Sequence, residues 1–283
     1  MNFRNLYNRA KGELRQANID TYVFDAMCLL EHCFGIKRYD LAVVGTKEVD
    51  KDKCEKFFKL VEQRAHGRPL QYIIGEWQFM GLTFKVGEGV LIPRDDTEVL
   101  VNEAANRLKG RQNVKVMDLC AGSGAVSISI SKLIDDAKVF ALELSDDAYK
   151  YLLKNVEINS TNGVTPFKGD VFKEFCNDKF KDLDAIVSNP PYIPSSDIEH
   201  LQREVQREPA MALDGGNDGL EFYREIADKW ARNLKAGGFV AVEIGIGQSD
   251  DVANIFSQFG LSNIEIIKDI NLIDRVVVGV KGE

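Results

Sequence analysis

Residues 183–192 read LDAIVSNPPY, and this stretch decides both the fold and the position of the candidate site. The apolar run Ala185, Ile186 and Val187 has the length of a buried strand. Two prolines follow almost directly, and because proline cannot donate to a sheet ladder, they end the strand in a rigid extended turn. We therefore expect Asn189 at the carboxyl end of a buried strand, the edge of an open α/β sheet where ligands bind.

The turn after this strand offers hydrogen-bond acceptors. The side-chain oxygen of Asn189 and the carbonyl of Pro190 can each accept one N–H bond, whereas Pro190 and Pro191 have no backbone N–H to donate. Tyr192 can stack on a flat amide or base. An amide or aromatic NH2 group is a poor nucleophile because its lone pair is delocalised, and such a turn suits chemistry at that nitrogen. Taken alone, the turn is equally consistent with a simple strand end.

The composition is that of an ordinary globular protein. The chain has 283 residues, of which 45% are hydrophobic and 28% are charged. No apolar run approaches a membrane span and the N-terminus lacks a signal-peptide apolar region, so we expect a cytoplasmic protein. The five cysteines include no CxxC pair and the three histidines are scattered. This pattern indicates neither a disulfide framework nor a metal site.

The net charge of −8 is unevenly distributed. Residues 1–78 contain 13 Lys and Arg against 11 Asp and Glu, whereas the remainder contains 23 against 33. A large nucleic-acid groove needs a basic face, which an acidic main body does not provide. A basic protein partner remains compatible with this charge.

The chain divides into three parts by its pattern. Apolar residues recur at helical spacing at Leu6, Ala10 and Leu14 and in two later segments, which predicts a small helical bundle. We interpret residues 1–70 as a substrate-docking domain, favoured over a purely structural cap by its mild positive charge. Residues 71–93 carry β-branched and aromatic residues between glycines. This pattern, which starts at Pro69, predicts a β-hairpin linker rather than a helix.

Residues 94–283 form the main domain. Asp96 or Thr97 is expected to cap its first helix through a side chain. Strand and helix patterns then alternate, starting with strands over 114–119 and 138–143. This rhythm predicts an α/β fold with a doubly wound, mostly parallel sheet of seven strands. One later helix is expected to run to about residue 234 and to be closed by Gly237 and Gly238.

The turn between the first strand and its helix has the features of a nucleoside site. Its glycines let a ligand approach the backbone over a helix N-terminus. Glu143 ends the next strand, where an acid can bind two ribose hydroxyls. Asp170 and Val171 follow the third strand, where they can contact the edge of an adenine. The candidate binding residues in the first turn are Asp118, Cys120, Ala121, Gly122, Ser123 and Gly124.

The same turn indicates which cofactor it binds. The dinucleotide fingerprint GxGxxG is broken, because position 127 is Ser. An anionic Asp118 beside the turn would repel a pyrophosphate and attract an ammonium or sulfonium group. Together with the NPPY turn, this favours S-adenosylmethionine over a nicotinamide dinucleotide, although an unspecialised strand-to-helix turn remains open.

Several motifs, taken together, resemble one known family. In chain order they are PLQYIIG, LIPRDDTE, DLCAGSGAVS, Glu143, NPPYIP and REPAMALDGGNDGLEFYR, and they run from about Pro69 to the C-terminus. In this combination and order they are similar to the release-factor glutamine N5-methyltransferases. Cys120 and Ala121 stand where Gly-Thr is frequent in that family.

The resemblance implies a class I methyltransferase fold and S-adenosylmethionine as the methyl donor. It implies that the substrate is the glutamine of the Gly-Gly-Gln loop in peptide-chain release factors. Direct DNA binding is not expected, because the acidic chain shows no basic groove. By position, residues 120–124 would contact the methionine part of the donor, Glu143 the ribose, and Asp170 and Val171 the adenine. The glutamine would be held by Asn189, Pro190, Pro191 and Tyr192, with Asn189, Pro190 and Tyr192 as catalytic residues and Asn189 also near the donor.

Three other functions compete with this interpretation. A DNA adenine-N6 methyltransferase would use the same NPPY turn on a flipped base, but would need a basic groove or a target-recognition insertion. A non-catalytic nucleoside-binding regulator and a nicotinamide oxidoreductase are the others. Glu243 can lie near the donor, but a simple strand end is favoured. The long polar segment 193–218 is interpreted as a lid over the site.

Overall fold

A computed structural model describes residues 1–176 and 178–282 of the chain. The chain forms two compact units. The first consists of Met1–Glu76 together with Gln202–Arg207, and the second consists of Trp77–Leu201 together with Glu208–Glu283. A short piece of the segment after the NPPY turn therefore belongs to the first unit.

The first unit is helical, as the apolar spacing predicts. Asn2 and Asp50 cap two of its helices by accepting hydrogen bonds from backbone N–H groups of the first turn. Leu6, Ala10 and Leu14 are fully buried, which places the predicted stripe in the core. The helices are α1 (Phe3–Gln16), α2 (Tyr22–Phe34), α3 (Leu41–Val44), α4 (Lys51–Ala65) and α5 (Leu70–Ile74).

The predicted strand character of the segment after Pro69 is wrong over its first residues. Leu70–Ile74 is the short helix α5, which begins after Pro69 and ends at Gly75, where φ is +83°. Tyr72 and Ile73 favour strands by propensity, but here they are buried on one side of a helical turn. The predicted hairpin follows as β1 (Glu76–Phe79) and β2 (Leu82–Lys85).

The second unit contains the predicted seven-stranded, doubly wound sheet, which is confirmed. In space the order is β5-β4-β3-β6-β7-β9-β8, parallel except that β9 runs antiparallel to both of its neighbours. The strands are β3 (Lys115–Leu119), β4 (Lys138–Glu143), β5 (Val164–Lys168), β6 (Leu183–Ser188), β7 (Leu234–Glu243), β8 (Leu261–Lys268) and β9 (Asp274–Lys281).

Helices cover both faces of this sheet over two apolar clusters. All six residues of β6 are buried, as expected for a central strand of a parallel sheet. The reversal of strand order between β3 and β6 leaves a crevice at their carboxyl ends. The helices are α6 (Thr97–Leu108), α7 (Ala125–Leu133), α8 (Asp146–Ile158), α9 (Glu221–Asp228) and α10 (Ser249–Gln258).

The predicted end of the α9 helix is also wrong. The α-helix stops at Asp228, and a 3-10 turn over Trp230–Asn233 leads into β7. Trp230 is fully buried and its indole N–H donates to the Val171 carbonyl, which pulls the chain out of helical geometry. Gly237 and Gly238 lie inside β7, and a Cβ on Gly238 would meet the Leu183 carbonyl at 3.0 Å.

A buried arginine organises the helical unit. Arg64 on α4 is 2% exposed, and its Nε donates to Asp25 on α2 at 2.6 Å. Its Nη2 donates to Glu204 at 2.5 Å, which ties the returning segment 202–207 to the helices. Removing the guanidinium would leave a buried carboxylate without its partner.

We expect Arg64→Ala to destabilise the helical unit by about 3–5 kcal/mol, because an uncompensated buried charge remains at Asp25. Urea denaturation followed by circular dichroism measures this. The control is Lys51→Ala on the same helix, since Lys51 makes an exposed i,i+4 pair with Glu55 at 3.9 Å. Equal stability of the two variants would contradict the organising role of Arg64.

Candidate active site

One cleft collects the residues at the carboxyl ends of β3, β4 and β6, all within the second unit. Parallel strands bring these ends together, which is why residues distant in sequence meet there. Further lining comes from the segment before α6, from Phe172 and from the segment near Pro209. The sequence-predicted residues that line the cleft are Asp118, Cys120, Ala121, Gly122, Ser123, Glu143, Asp170, Val171, Asn189 and Pro191.

Three predicted residues have other positions around the cleft. Gly124 begins α7 with φ +83°, and Leu152 and Ile128 pack where its side chain would be. Pro190 is buried. Tyr192 is partly buried beside Gly245, so the stacking predicted for it depends on the exposed part of its ring.

The β3–α7 turn is shaped by left-handed backbone. Gly122 and Gly124 have φ of +56° and +83°, as glycine readily allows. Cys120 has φ of +60°, an uncommon conformation for a residue with a Cβ. The turn is held by the Ala121 N–H, which donates to the Leu142 carbonyl at 2.9 Å. Its backbone is thus kept close to the cleft, where a ligand can approach it.

Glu143 links two loops of the cleft. Its Oε2 accepts from the Gly122 N–H at 2.7 Å and its Oε1 accepts from the Ser145 N–H at 2.6 Å. Burial raises the pKa of this carboxyl, against the opposing effect of these backbone N–H groups. Each carboxylate oxygen has a second lone pair, so Glu143 can still accept from the vicinal hydroxyls of a ribose.

Asp118 is more deeply buried than its predicted role suggests. It is 1% exposed, and its Oδ2 accepts from both the backbone N–H and the hydroxyl of Ser127 at the start of α7. Burial raises the pKa of Asp118 to about 7. At neutral pH the group is therefore only partly ionised, and it anchors α7 as well as lining the cleft.

Aromatic side chains near Asp170 form a wall that sequence reasoning missed. Phe172 is 40% exposed and packs edge-on against Phe222 with ring centroids 5.1 Å apart. Both line the cleft next to Val171. Partial burial acts to raise the pKa of Asp170, but Lys173 at 2.9 Å and the Phe172 N–H outweigh it, and the pKa is lowered. The flat face of a base can stack on this wall, next to the carboxylate of Asp170.

Asn189 is held by an unexpected partner. Its side-chain Nδ2 donates to the hydroxyl of Thr97 at 3.0 Å, which leaves Oδ1 available to the cleft. Thr97 is the first residue of α6, and neither it nor Asp96 caps that helix through a side chain, contrary to the prediction. Asp96 instead pairs with Arg275 at 3.0 Å. The sequence contains no signal for the contact between Thr97 and Asn189, because the two residues are far apart in the chain.

The chain leaving the NPPY turn is clamped on both sides. The Ile193 N–H donates to the Leu213 carbonyl and the Gly215 N–H donates to the Ile193 carbonyl, each at 2.9 Å. Gln248 donates to the Tyr192 carbonyl at 3.0 Å. Residues 212–216 (ALDGG) therefore fix the turn through main-chain hydrogen bonds.

Glu208 fixes the segment just before the clamp. It is 5% exposed, accepts from the Ile92 N–H at 3.0 Å and forms an ion pair with Arg94. Pro209, Met211 and the 91–94 segment line the cleft, so this contact joins two of its walls. The predicted lid is thus tied down at Glu208 and at Gly215.

Within residues 1–176 and 178–282, no group of three or more His, Cys, Asp or Glu side chains could hold a metal ion. Over the same residues no helix is long and apolar enough to cross a membrane.

Comparison with known proteins identifies relatives along the whole chain. Residues 5–75 match the family model of the PrmC N-terminal domain, and residues 100–211 match that of the TRM5/TYW2 methyltransferase domain. The chain is 39% identical over 277 residues to a release factor glutamine methyltransferase of Geobacter sulfurreducens, covering 98% of this chain and 95% of that protein. It is 35% identical over 284 residues to a release factor glutamine methyltransferase of Clostridium acetobutylicum, covering 100% and 99%.

A solved structure shows the same fold. The 16S rRNA N2 G1207 methyltransferase of T. thermophilus, in complex with AdoMet and guanosine, superposes with a TM-score of 0.53 at 18% identity. The superposition covers 73% of this chain and 49% of that one. Together with the strand order, it confirms the expected class I methyltransferase fold.

The clamp on the NPPY turn predicts an intolerant glycine. A Cβ on Gly215 would lie 2.7 Å from the Tyr192 Cα and 2.9 Å from the Pro191 carbonyl oxygen. We expect Gly215→Ala to destabilise the protein by about 1–3 kcal/mol and to speed hydrogen exchange at the Ile193 amide, because the backbone must shift. The control is Gly12→Ala, where the space is open and the helix should be slightly stabilised. Unchanged stability of Gly215→Ala would contradict the clamp.

Asp118 predicts a pH dependence of stability. Its folded pKa of about 7 lies above the ordinary aspartate value, so the folded state binds the proton more tightly than the unfolded state. The stability from this group is present below about pH 4 and is lost as pH rises towards 7. We expect Asp118→Asn to gain stability relative to the parent protein between pH 4.5 and 7.5, measured by urea denaturation. A constant difference would contradict the raised pKa.

Proposed function

The chain belongs to the release factor glutamine methyltransferase family, and from this we propose that it methylates the side-chain amide of a release-factor glutamine. The donor is S-adenosylmethionine, and the products are N5-methylglutamine and S-adenosylhomocysteine. The observation that carries the proposal is the fixed amide of Asn189, whose nitrogen donates to the Thr97 hydroxyl at the edge of the cleft.

The cleft has the features that the donor needs. Glu143 can hold the ribose hydroxyls, and Phe172, Phe222 and Val171 can take the adenine beside Asp170. The turn at residues 120–124 would contact the methionine part. A carboxyl at Asp118, partly ionised at neutral pH, provides the acidic surroundings that an ammonium favours.

The acceptor site follows from the NPPY turn. The glutamine NH2 group donates one hydrogen bond to the Asn189 Oδ1 and the other to the Pro190 carbonyl, and Tyr192 packs beside the amide plane. These acceptors aim the nitrogen at the cleft and stabilise the positive charge that develops on it. Pro191 keeps the turn rigid.

The reaction is a direct displacement. When bound, S-adenosylmethionine supplies an electrophilic methyl group on a sulfonium. The Asn189 Oδ1 and the Pro190 carbonyl would hold the glutamine nitrogen in line with that methyl group, and S-adenosylhomocysteine would be the leaving group. The nitrogen becomes cationic on alkylation and then loses a proton to water, so no strong general base is needed before attack.

The rest of the chain fits a protein substrate. We assign substrate docking to residues 1–70, linkage to 71–93 and methyl transfer to 94–283. The mildly basic first part and the acidic remainder favour a protein partner over DNA, which would need a basic groove. The proposal places the enzyme in the cytoplasm, where release factors act.

Asn189→Ala should lower turnover by on the order of a hundredfold or more, because one preorganised acceptor is lost at the transition state. Donor binding by calorimetry should stay nearly unchanged, since Glu143 and the aromatic wall remain. The control is Asn254→Ala, an exposed position on α10. Intact turnover in Asn189→Ala would contradict the proposed role.

The substrate assignment is tested with radiolabelled S-adenosylmethionine. The acceptors are a release factor, the same factor with its loop glutamine changed to alanine, and duplex DNA. Label in the first alone supports the proposal. Label in DNA would overturn the substrate assignment, while the fold and the donor assignment would stand. Label in the glutamine-free factor would show that another residue of the factor is methylated.

A further inference from the structure

The methionine part of the donor brings two opposite charges into the cleft. S-adenosylmethionine carries an ammonium and a carboxylate on the same carbon, at the end of a short chain that leads to its sulfonium. The acidic lining of the cleft, to which Asp118, Glu143 and Asp170 contribute, favours the ammonium. The same acids repel the carboxylate, so its binding needs a cation or free N–H groups nearby.

The glycine turn after β3 is a weak site for a carboxylate, because much of its backbone is already in use. Four N–H groups of this turn and of the start of α7 have acceptors within the protein, those of Ala121, Gly122, Gly124 and Ser127. Two of these acceptors are themselves carboxylates, those of Glu143 and Asp118. An N–H group that points at one carboxylate does not bind a second anion. A further donor is therefore needed in the cleft.

Arg94 can be that donor. Among the residues that line the cleft in the described part of the chain, it has the only positively charged side chain. The side chain is 38% exposed, so the guanidinium is not enclosed by protein. Its Nη2 pairs with Glu208. A guanidinium has five N–H groups arranged as a fork, so Arg94 keeps donors for a second carboxylate.

Another arginine of the same unit shows that one guanidinium can hold two carboxylates. Arg275 pairs with Asp269 and with Asp96, each at 3.0 Å. Arg94 has one carboxylate partner among the described residues, Glu208. The second place on its guanidinium is open to a ligand in the cleft.

The position of Arg94 agrees with where the carboxylate of the donor must lie. The Thr97 N–H donates to the Arg94 carbonyl at 3.0 Å, and the Thr97 hydroxyl accepts from Asn189. The sulfonium methyl must approach the acceptor nitrogen held at Asn189, and the amino-acid chain leaves the same sulfur. Arg94 therefore lies next to the part of the cleft in which that chain begins.

We propose that Arg94 binds the carboxylate of S-adenosylmethionine. Glu208, which accepts from the Ile92 N–H at 3.0 Å, holds the guanidinium in place through their ion pair. The cleft thereby recognises both charges of the amino-acid chain, and it selects against nucleosides that lack the carboxylate. The inference rests on the donor named in the proposed function, and it does not depend on which amide is methylated.

The test compares two donors that differ in one group, S-adenosylmethionine and decarboxylated S-adenosylmethionine. We expect Arg94→Met to raise the Kd of S-adenosylmethionine by about tenfold to a hundredfold, because hydrogen bonds between charged groups are lost. The same variant should not raise the Kd of the decarboxylated donor, which offers nothing to the guanidinium. Isothermal titration calorimetry measures both constants without any acceptor.

The second donor separates carboxylate binding from a structural role of Arg94. If the loss of the Glu208 pair distorted the cleft, both donors would bind more weakly. Equal rises in the two Kd values, or an unchanged Kd of S-adenosylmethionine, would overturn the inference. The control is Arg111→Met, at an exposed position in the loop before β3, which should change neither constant.

Arg94→Lys keeps the inference testable if Arg94→Met does not fold, as judged by thermal unfolding. A lysine keeps the charge but loses the fork. It should give a smaller rise in the Kd of S-adenosylmethionine and again no rise for the decarboxylated donor. A rise of the same size for both donors would overturn the inference here as well.

The proposed function is judged by a different assay. If no release factor is labelled but Arg94→Met loses affinity for the intact donor alone, the substrate proposal fails and the carboxylate site stands. If the parent enzyme methylates the glutamine and Arg94→Met binds both donors as the parent does, only this inference fails.

Discussion

The hydrogen bond from the Asn189 Nδ2 to the Thr97 hydroxyl is the contact on which the chemistry of this cleft depends. It joins the end of β6 to the start of α6, two points 92 residues apart in the chain. An amide nitrogen is a weak nucleophile, so catalysis at it relies on acceptors held in place rather than on a strong base. The parallel sheet provides the rigid edge, and the clamp at Gly215 keeps the turn from moving.

Buried carboxylates organise the loops around that contact. Glu143 binds the Gly122 and Ser145 amides, Asp118 binds Ser127, and Glu208 binds the Ile92 amide and Arg94. Each group ties a loop to a neighbouring element through backbone N–H groups, which stabilises the burial of an acid. Some of the acidic residues behind the net charge of the chain therefore stabilise loops in the interior and do not contribute to the charge of the surface.

Much of the fold could be predicted because it depends on local pattern. The buried strand before Asn189, the glycine turn after β3 and the alternation of strands and helices are visible in short windows of sequence. The helix at Leu70–Ile74 and the early end of α9 at Asp228 were mispredicted, because packing of Tyr72 and Trp230 overrides propensity. Thr97 could be placed at a helix start but not beside Asn189, since that contact is set by tertiary structure.

The central claim is that one amide nitrogen receives the methyl group, and peptide mass spectrometry of a release factor after reaction tests it most directly. We predict that the mass of one methyl group appears on the side chain of the loop glutamine, with the parent enzyme and not with Asn189→Ala. A methyl group on any other residue, or an unmodified glutamine after full consumption of the donor, would contradict it.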